Sequence, residues 1–171
     1  DTVDHQILFD RLRFEYGLDG SVLSWFKSYL TNRTICVHYN GQTSETVFIL
    51  YGVPQGSVLG PILFILYVAG AINIADKHGF AAHSYADDLQ IYDHSPQSSC
   101  SSLVVRMSNC VAEINEWMGS NRLKLNPSKT ELIWLGSSRR LEHCPVGELN
   151  IAGVPIKPAT HVRDLGVMID N

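Results

Sequence analysis

Apolar side chains recur at helical spacing in three segments of the chain. The spacing over residues 5–16 predicts an amphipathic helix, and a second helix is predicted over residues 21–30. Asp19 or Ser21 can cap this second helix, because both side chains accept hydrogen bonds from the free N–H groups of a helix start. The longest periodic segment, residues 102–118, predicts a helix whose apolar stripe packs into the core.

Short apolar segments joined by turn residues predict β-hairpins. Residues 34–39 and 46–51 read as strands around Asn40-Gly41, a dipeptide typical of a tight hairpin turn. A smaller hairpin is predicted around Ala152-Gly153. The two strands of this hairpin are residues 149–151 and 154–156. Residues 132–135 are predicted to form a further, single strand.

The most apolar run of the chain extends from Pro61 to about Ala75 and predicts a helix. Pro61 suits the first helical position, with Gly60 as the cap. Residues 58–75 are apolar enough to raise the question of a membrane span, but glycine, proline and asparagine interrupt them, and the run begins in a polar loop. A buried helix is therefore favoured over a membrane span.

The composition is that of a globular domain with one sizeable core. The 171 residues are 45% hydrophobic and 18% charged, which is ordinary for such a domain. The net charge of −4 is unusual for a chain that binds nucleic acid. Two accounts of this charge can hold together: the basic elements lie outside this chain, and the chain alone binds nucleic acid weakly. Four cysteines without paired spacing, and no signal-peptide pattern, predict reduced thiols in an intracellular protein that is not secreted.

Residues 85–88, which read Tyr-Ala-Asp-Asp, place two adjacent carboxylates in an apolar stretch. At the tip of a β-hairpin two such charges repel each other unless cations lie between them. A pair of Mg²⁺ ions removes that repulsion and supplies the chemistry of phosphoryl transfer. A solvated turn is the alternative, because aspartate is a common turn residue.

Strand geometry distinguishes the two carboxylates. Successive side chains of a strand face opposite ways, so Asp87 is predicted to share a face with Tyr85, and Asp88 with Ala86. Asp87 is the predicted direct metal ligand, and Asp88 the weaker one. The small side chain of Ala86 leaves room for a substrate sugar.

A second motif, residues 52–64, reads Gly-Val-Pro-Gln-Gly-Ser-Val-Leu-Gly-Pro-Ile-Leu-Phe and joins a strand to the apolar helix. The free N–H groups and the dipole of such a helix start favour a phosphate. Gly56 lets a ligand approach the backbone, and Gln55 offers a donor and acceptors to a sugar or base edge. An ordinary glycine and proline turn is the alternative.

The two motifs, in this order, resemble the palm of a reverse transcriptase from a non-long-terminal-repeat (LINE-type) retrotransposon. Four more segments resemble blocks of the same family, so the resemblance extends over essentially the whole chain. These segments are residues 1–5 (Asp-Thr-Val-Asp-His), 24–33, 123–131 and 161–167.

The resemblance implies an α+β fold, with an antiparallel palm sheet backed by helices and part of the fingers. The chain is then one reverse-transcriptase domain fragment, truncated at both ends. Its parts are a fingers-side insertion (residues 1–51), the palm with the nucleotide loop and the Tyr-Ala-Asp-Asp hairpin (52–136), and a primer-grip-like hairpin (137–171).

The resemblance also implies roles for individual residues. Asp87 and Asp88 match the metal-site aspartates, and Lys129 matches a lysine proposed as general acid toward leaving pyrophosphate. A solvated lysine is an equal alternative there, because proton donation depends on geometry. The nucleotide pocket is implied to include Pro54, Gln55, Gly56 and Ala86. The primer grip is implied to include Leu165 and Gly166.

The implied activity is RNA-directed DNA polymerisation with two Mg²⁺ ions, for which Mn²⁺ is a substitute. Its partners are an RNA template, a DNA primer and deoxynucleoside triphosphates, with no membrane, and its location is the nucleus and cytoplasm as a ribonucleoprotein.

One departure from the family pattern bears on activity. The first catalytic motif carries its metal-binding aspartate, and the aromatic residue that excludes ribose, before the aspartate that corresponds to Asp1. Both are therefore expected upstream of this chain, and Asp1 and Asp4 are not assigned to the metals. The chain alone is expected to be inactive, and a decayed remnant used as a binding or structural module is the alternative. A group II intron maturase or a telomerase ranks lower, because Val53 and residues 57–60 fit the LINE-type pattern better.

Overall fold

The computed structural model describes residues 2–141 and 147–171 of the chain. Three of its helices are those expected from apolar spacing, and the longest of them extends two residues beyond the prediction at each end. The α-helices of the described residues are α1 (His5–Phe14), α2 (Gly20–Leu30), α3 (Leu59–Lys77), α4 (Cys100–Ser120) and α5 (Ser138–Leu141).

The strands of the described residues are short and pair two by two. Four pairs join consecutive strands: β2 (His38–Tyr39) with β3 (Gln42–Thr43), β5 (Ala81–Tyr85) with β6 (Asp88–Tyr92), β8 (Leu149–Ile151) with β9 (Val154–Ile156), and β11 (His161–Asp164) with β12 (Val167–Asp170). The remaining pairs are β1 (Arg33–Ile35) with β4 (Val47–Ile49), which is antiparallel, and β7 (Leu132–Ile133) with β10 (Pro158–Ala159), which is parallel. Helices combined with mainly antiparallel pairs confirm the predicted α+β class.

The hairpin predicted at Asn40-Gly41 is present. Both residues have positive φ, 46° and 75°, which is the backbone sign pattern of a type I′ turn. The predicted strands are interrupted, however, because Val37 donates its N–H to Ser44 Oγ at 2.9 Å and accepts from the Ser44 N–H at 2.9 Å. This side-chain contact separates the β2–β3 ladder from the β1–β4 ladder.

Caps were predicted for two helices, α2 and α3. Asp19 is the N-cap of α2, where its carboxylate accepts from the Gly20 N–H at 2.8 Å. The prediction for α3 is wrong by two residues, since this helix begins at Leu59 and not at Pro61. Ser57 Oγ accepts from the Gly60 N–H at 3.0 Å, which caps the helix earlier, and proline is tolerated within a first turn.

Helix α3 is the one helix of the described residues that is long and apolar enough to cross a membrane, by length and composition only. One third of its tested window is buried. Leu63 and Tyr67 pack into one core cluster, and Ala71, Ile74 and Ala75 pack into another. Core helices satisfy the same two criteria, so this one helix is weak evidence for a membrane span.

The first compact unit comprises residues 1–70, 84–88 and 121–123. Its core is formed by α1, α2 and the first part of α3, with Leu8, Leu12, Leu30 and Leu63 at most 1% exposed. Burial raises the pKa of the Tyr67 hydroxyl, which donates to the backbone carbonyl of Asn121 at 2.6 Å. Polar contacts therefore cross this mainly apolar core, which also contains the buried side chains of Arg11 and Asn121.

The second compact unit comprises residues 71–83, 89–120 and 124–171. One core cluster lies between the end of α3, β5 and β6, and α4, and it includes Phe80, Leu103 and Ile114. Another packs β8 and β9 against α4 through Val111 and Ile151. The apolar stripe of α4 thus faces the core, as its periodicity predicts.

The cysteines differ from the sequence expectation. Cys100 is disulfide-bonded, so the prediction of four reduced thiols is wrong for this residue, because sequence spacing does not show which side chains meet in space. Cys36 and Cys110 carry free thiols. Cys110 is fully buried, and burial raises the pKa of its thiol to about 11.

We expect Cys36 and Cys110 to react with thiol reagents at very different rates. The thiolate is the reactive form, and Cys110 stays protonated and covered at pH 8, whereas Cys36 is half-buried and accessible. Labelling of the folded chain at pH 8, followed by peptide mass spectrometry, should modify Cys36 first by at least about tenfold. Equal rates in the folded chain would contradict the burial of Cys110, and equal rates in urea are the expected control.

Candidate active site

The two adjacent aspartates lie at the tip of the β5–β6 hairpin. Strand β5 ends at Tyr85 and β6 begins at Asp88, so Ala86 and Asp87 form a two-residue turn. Ala86 has a φ of 52°, a backbone conformation that is uncommon for residues other than glycine. The predicted hairpin tip is therefore confirmed.

The turn changes the expected orientation of the carboxylates. The assignment of Asp87 to the face of Tyr85 assumed a continuous strand, and the turn interrupts the alternation of side chains at Ala86. In a two-residue hairpin the residues on either side of the turn oppose each other across the strands, so Tyr85 and Asp88 are expected to share a face. The stronger metal role of Asp87 stays a prediction.

Both aspartate side chains at the tip are exposed. Within residues 2–141 and 147–171 neither carboxylate has a hydrogen bond or an ion pair to another side chain. Carboxylate oxygens are the ligands that Mg²⁺ prefers, and the ion is commonly bound by one or two carboxylates together with substrate phosphates. The donor set of the tip therefore fits a magnesium ion.

No cluster of three histidine, cysteine, aspartate or glutamate side chains that could hold a metal occurs among the described residues. Asp4 has a different task, because it is the N-cap of α1 and accepts from the backbone N–H groups of Gln6 and Ile7 at 2.9 and 3.1 Å. Leaving Asp4 out of the metal site agrees with this contact. Asp1 lies outside the described residues.

The glycine-rich loop is a fixed turn. The Ser57 N–H donates to the Pro54 carbonyl at 3.2 Å, and Gly56 between them has a φ of 75°. A hydrogen bond from the fourth residue to the first, with positive φ at the third, is typical of a type II turn. Gln55 and Gly56 are exposed at its apex, where a ligand can reach the backbone.

Ser57 joins this turn to the start of α3. Its hydroxyl donates to the Pro54 carbonyl at 2.6 Å and accepts from the Gly60 N–H at 3.0 Å. A Cβ on Gly60 would lie 3.0 Å from Ser57 Oγ and 3.1 Å from the Pro54 oxygen, so a larger residue at this position would crowd the turn. The sequence interpretation missed Ser57, although serine three residues before a helical N–H is a recognisable capping signal.

The other end of the loop is bound to the beginning of the chain. The Gly52 N–H donates to the Val3 carbonyl at 2.8 Å, and the Gly52 carbonyl lies 2.8 Å from His5 Nε2. His5 was also missed as a loop contact, because the two residues are 47 positions apart in sequence. Both ends of the loop are thus held, while Gln55 and Gly56 at its apex are exposed.

The predicted site residues divide between the two compact units. The loop residues Pro54, Gln55 and Gly56 belong to the same unit as residues 84–88 at the hairpin tip. Lys129 and the pair Leu165-Gly166 belong to the other unit. The structure therefore groups the predicted nucleotide loop with the predicted metal ligands.

Lys129 ends a 3-10 turn, Pro127–Lys129, whose preceding residue Asn126 accepts from the Ser128 N–H at 3.1 Å. The lysine side chain is exposed and has no ion pair among the residues that the structure describes. Both the catalytic role and the solvated role predicted for this residue remain compatible with that position.

Leu165 and Gly166 form the turn between β11 and β12. Their φ angles are 45° and 88°, and Asp164 pairs with Val167 directly below them. Positive φ at both central residues indicates a type I′ turn, and leucine in such a turn is unusual. The hairpin expected at this position is present, whereas its hold on a primer stays a prediction.

Comparison with known proteins identifies the family of this chain. The sequence matches the family described as reverse transcriptase (RNA-dependent DNA polymerase) over residues 1–169. The chain belongs to the reverse transcriptase family. The match confirms the resemblance that the two motifs indicated, and it covers almost all of the sequence.

Three curated relatives of this reverse transcriptase chain come from transposable elements of Drosophila. It is 31% identical over 141 residues to a probable RNA-directed DNA polymerase from transposon BS of Drosophila melanogaster, covering 75% of the chain and 15% of that protein. It is 27% identical to a probable RNA-directed DNA polymerase from transposon X-element of Drosophila melanogaster, covering 94% of the chain and 17% of that protein.

A third relative is the RNA-directed DNA polymerase from mobile element jockey of Drosophila funebris, at 28% identity over 184 residues, covering 98% of the chain and 19% of that protein. The chain therefore spans less than one fifth of the length of these relatives. No solved structure gives a significant match to the chain.

Proposed function

We propose that this chain contributes the metal-site aspartates and the nucleotide loop of an RNA-directed DNA polymerase from a non-long-terminal-repeat retrotransposon. The observation that carries the proposal is the pair of exposed carboxylates at the tip of a two-residue hairpin, in the same compact unit as the exposed turn at Gln55 and Gly56. The names of the curated relatives support the reaction class.

The proposed reaction extends a primer by one nucleotide. The primer 3′-oxygen forms a bond to the α-phosphorus of a deoxynucleoside triphosphate, the bond to the β-phosphate oxygen breaks, and pyrophosphate leaves. Asp87 and Asp88 would hold two Mg²⁺ ions, which when bound stabilise the attacking and leaving oxygens. Mn²⁺ would substitute, since it also prefers oxygen ligands.

The other residues of the chain have positioning roles in this proposal. Gln55 contacts the sugar or base edge, and the open apex at Gly56 admits the nucleotide close to the backbone. Ala86 leaves room for the sugar, Lys129 donates a proton toward pyrophosphate, and Leu165-Gly166 holds the primer end. The RNA template and the DNA primer complete the complex, which we place inside the cell, in the nucleus and cytoplasm, as a ribonucleoprotein.

We expect Gly56→Ala to lower the rate of nucleotide incorporation strongly and the free energy of unfolding only slightly. The space around a Cβ at Gly56 is open, so the change acts through its φ of 75°, at a cost of about 1 kcal/mol. A shifted turn should reduce incorporation at least about tenfold, because small misplacements of reacting groups cost up to about 10²-fold. Gly17→Ala is the matched control, with a φ of 67° and equally open space.

Urea unfolding and primer extension would be measured on both glycine variants. Similar losses of stability, with loss of incorporation in the Gly56 variant alone, are the expected pattern. Equal rates of incorporation by the two variants would show that the loop around Gly56 is not part of the nucleotide site.

A catalytically inactive remnant is the second candidate. In that case the chain serves at most as a binding or structural module.

Primer extension on an RNA template with Mg²⁺ separates the two candidates. The assay compares this chain with a longer protein that contains it and continues upstream through the first catalytic motif and downstream through the thumb. Extension by the longer protein alone supports the polymerase with its third carboxylate upstream. If both proteins are folded and neither extends the primer, the result supports the inactive remnant. Extension by the short chain would overturn the prediction that the third metal-binding carboxylate lies upstream of Asp1.

A further inference from the structure

A side-chain hydrogen bond joins the strand that follows the aspartate pair to the hairpin with the Leu165-Gly166 turn. Gln90 Nε2 on β6 donates to Asp164 Oδ1 on β11 at 2.5 Å, across 74 residues of sequence. Both side chains are half-buried. Gln90 lies two residues after Asp88 on the same strand, and Asp164 is the last residue before the turn.

We propose that Gln90 is a positioning residue, which fixes Asp164 and thereby holds the Leu165-Gly166 turn on the strand that begins with Asp88. The proposal rests on the proposed polymerase function, because the turn is the predicted hold on the primer end. It assigns to Gln90 and Asp164 a role in primer placement that is separate from metal and nucleotide binding.

The geometry of the turn explains why such a contact is needed. Leu165 has a φ of 45°, and a non-glycine residue keeps this backbone conformation only where its surroundings impose it. Asp164 closes the ladder below the turn through its pairing with Val167. A hydrogen bond to the carboxylate of Asp164 therefore fixes the residue from which the strained turn departs.

The chemistry of the pair favours a specific role over a general surface contact. The acceptor is a carboxylate, and hydrogen bonds to charged groups are stronger than neutral ones, more so when partly removed from water. Asp164 has no ion pair with an arginine or lysine side chain among the described residues. Gln90 is thus the side chain that orients this carboxylate.

The contact itself is tested by hydrogen exchange on the 171-residue chain. Gln90→Ala and Asp164→Ala should each raise the exchange rates of the backbone amides of β11 and β12 by at least about tenfold, while the amides of α1 and α2 keep their protection. Asp164→Asn keeps the accepting oxygen and should restore protection. Unchanged exchange in both alanine variants would overturn the proposal.

The consequence for primer placement is tested by steady-state extension with the longer protein that contains the chain. Gln90→Ala and Asp164→Ala should each lower kcat about 10- to 100-fold with an unchanged KM for the nucleotide, because a misplaced primer oxygen slows the reaction without weakening nucleotide binding. The double variant should be no slower than either single variant. Gln42→Ala, which removes an exposed glutamine of β3, is the matched control.

The two assays distinguish failure of the inference from failure of the proposed function. A normal kcat in both alanine variants, or a rise in nucleotide KM alone, would overturn the positioning role while the polymerase stands. If the unchanged longer protein is folded and extends no primer, the proposed function fails and the positioning role fails with it. The exchange rates still decide whether the Gln90 contact holds the hairpin.

Discussion

Replacing Asp87 by asparagine in a longer protein that contains this chain is expected to abolish primer extension. The amide keeps the size of the side chain but removes the charge that would bind the metal at the hairpin tip. A metal clamp supplies several kcal/mol of transition-state stabilisation, and about 1.4 kcal/mol corresponds to tenfold in rate, so we expect a loss of at least about 10³-fold. Single-turnover extension with saturating nucleotide measures this loss.

Two further variants make the Asp87 result specific. Asp88→Asn is expected to cause a smaller loss than Asp87→Asn, because Asp88 is the predicted weaker ligand. Asp76→Asn is the matched control, since Asp76 is an exposed carboxylate near the end of α3 and should extend primers at the unchanged rate. An Asp87→Asn protein that keeps its extension rate would refute the assignment of Asp87.

Replacing Arg11 by methionine is expected to destabilise the folded chain by about 3 kcal/mol. The Arg11 side chain is 7% exposed. Its guanidinium donates to the Tyr67 carbonyl and, at 2.7 Å, to Asn121 Oδ1, so it links α1, α3 and the segment after α4. Each hydrogen bond to a charged group contributes about 1.5–3 kcal/mol, and methionine fills much of the volume without replacing either bond.

Urea and thermal unfolding of the Arg11→Met chain test this expectation. At about 2–4 °C per kcal/mol for a chain of this size, the melting temperature should fall by about 6–12 °C. Arg13→Met is the control, because Arg13 is 51% exposed. Its ion pair with Asp19 at 3.4 Å and its contact with the exposed Phe14 ring are surface interactions, each worth at most about 1 kcal/mol. Equal effects of the two variants would show that the buried contacts contribute little.

The parts of the fold that the sequence predicts well depend on local signals. Asn40-Gly41 forms its turn because asparagine and glycine both adopt positive φ readily, and Asp19 caps α2 through the next residue. The start of α3 was missed because the cap is Ser57, and Pro61 was given more weight than a first-turn proline carries.

The candidate site shows the same division. The hairpin tip was predicted from residues 85–88 alone, whereas the faces of its side chains were not, since the turn at Ala86 interrupts strand alternation. Contacts between residues distant in sequence carry no local signal. Arg11 meets Asn121 across 110 residues, and Gln90 meets Asp164 across 74, so only the folded chain shows them.

Template-directed incorporation of a single nucleotide tests the central claim most directly. The longer protein that contains this chain would be given an RNA template, a DNA primer, Mg²⁺ and one deoxynucleotide at a time, in four parallel reactions. We predict that only the nucleotide complementary to the next template base is joined, and that chelation of the metal stops the reaction. Folded protein that joins none of the four, or joins all of them regardless of the template, would contradict an RNA-directed DNA polymerase.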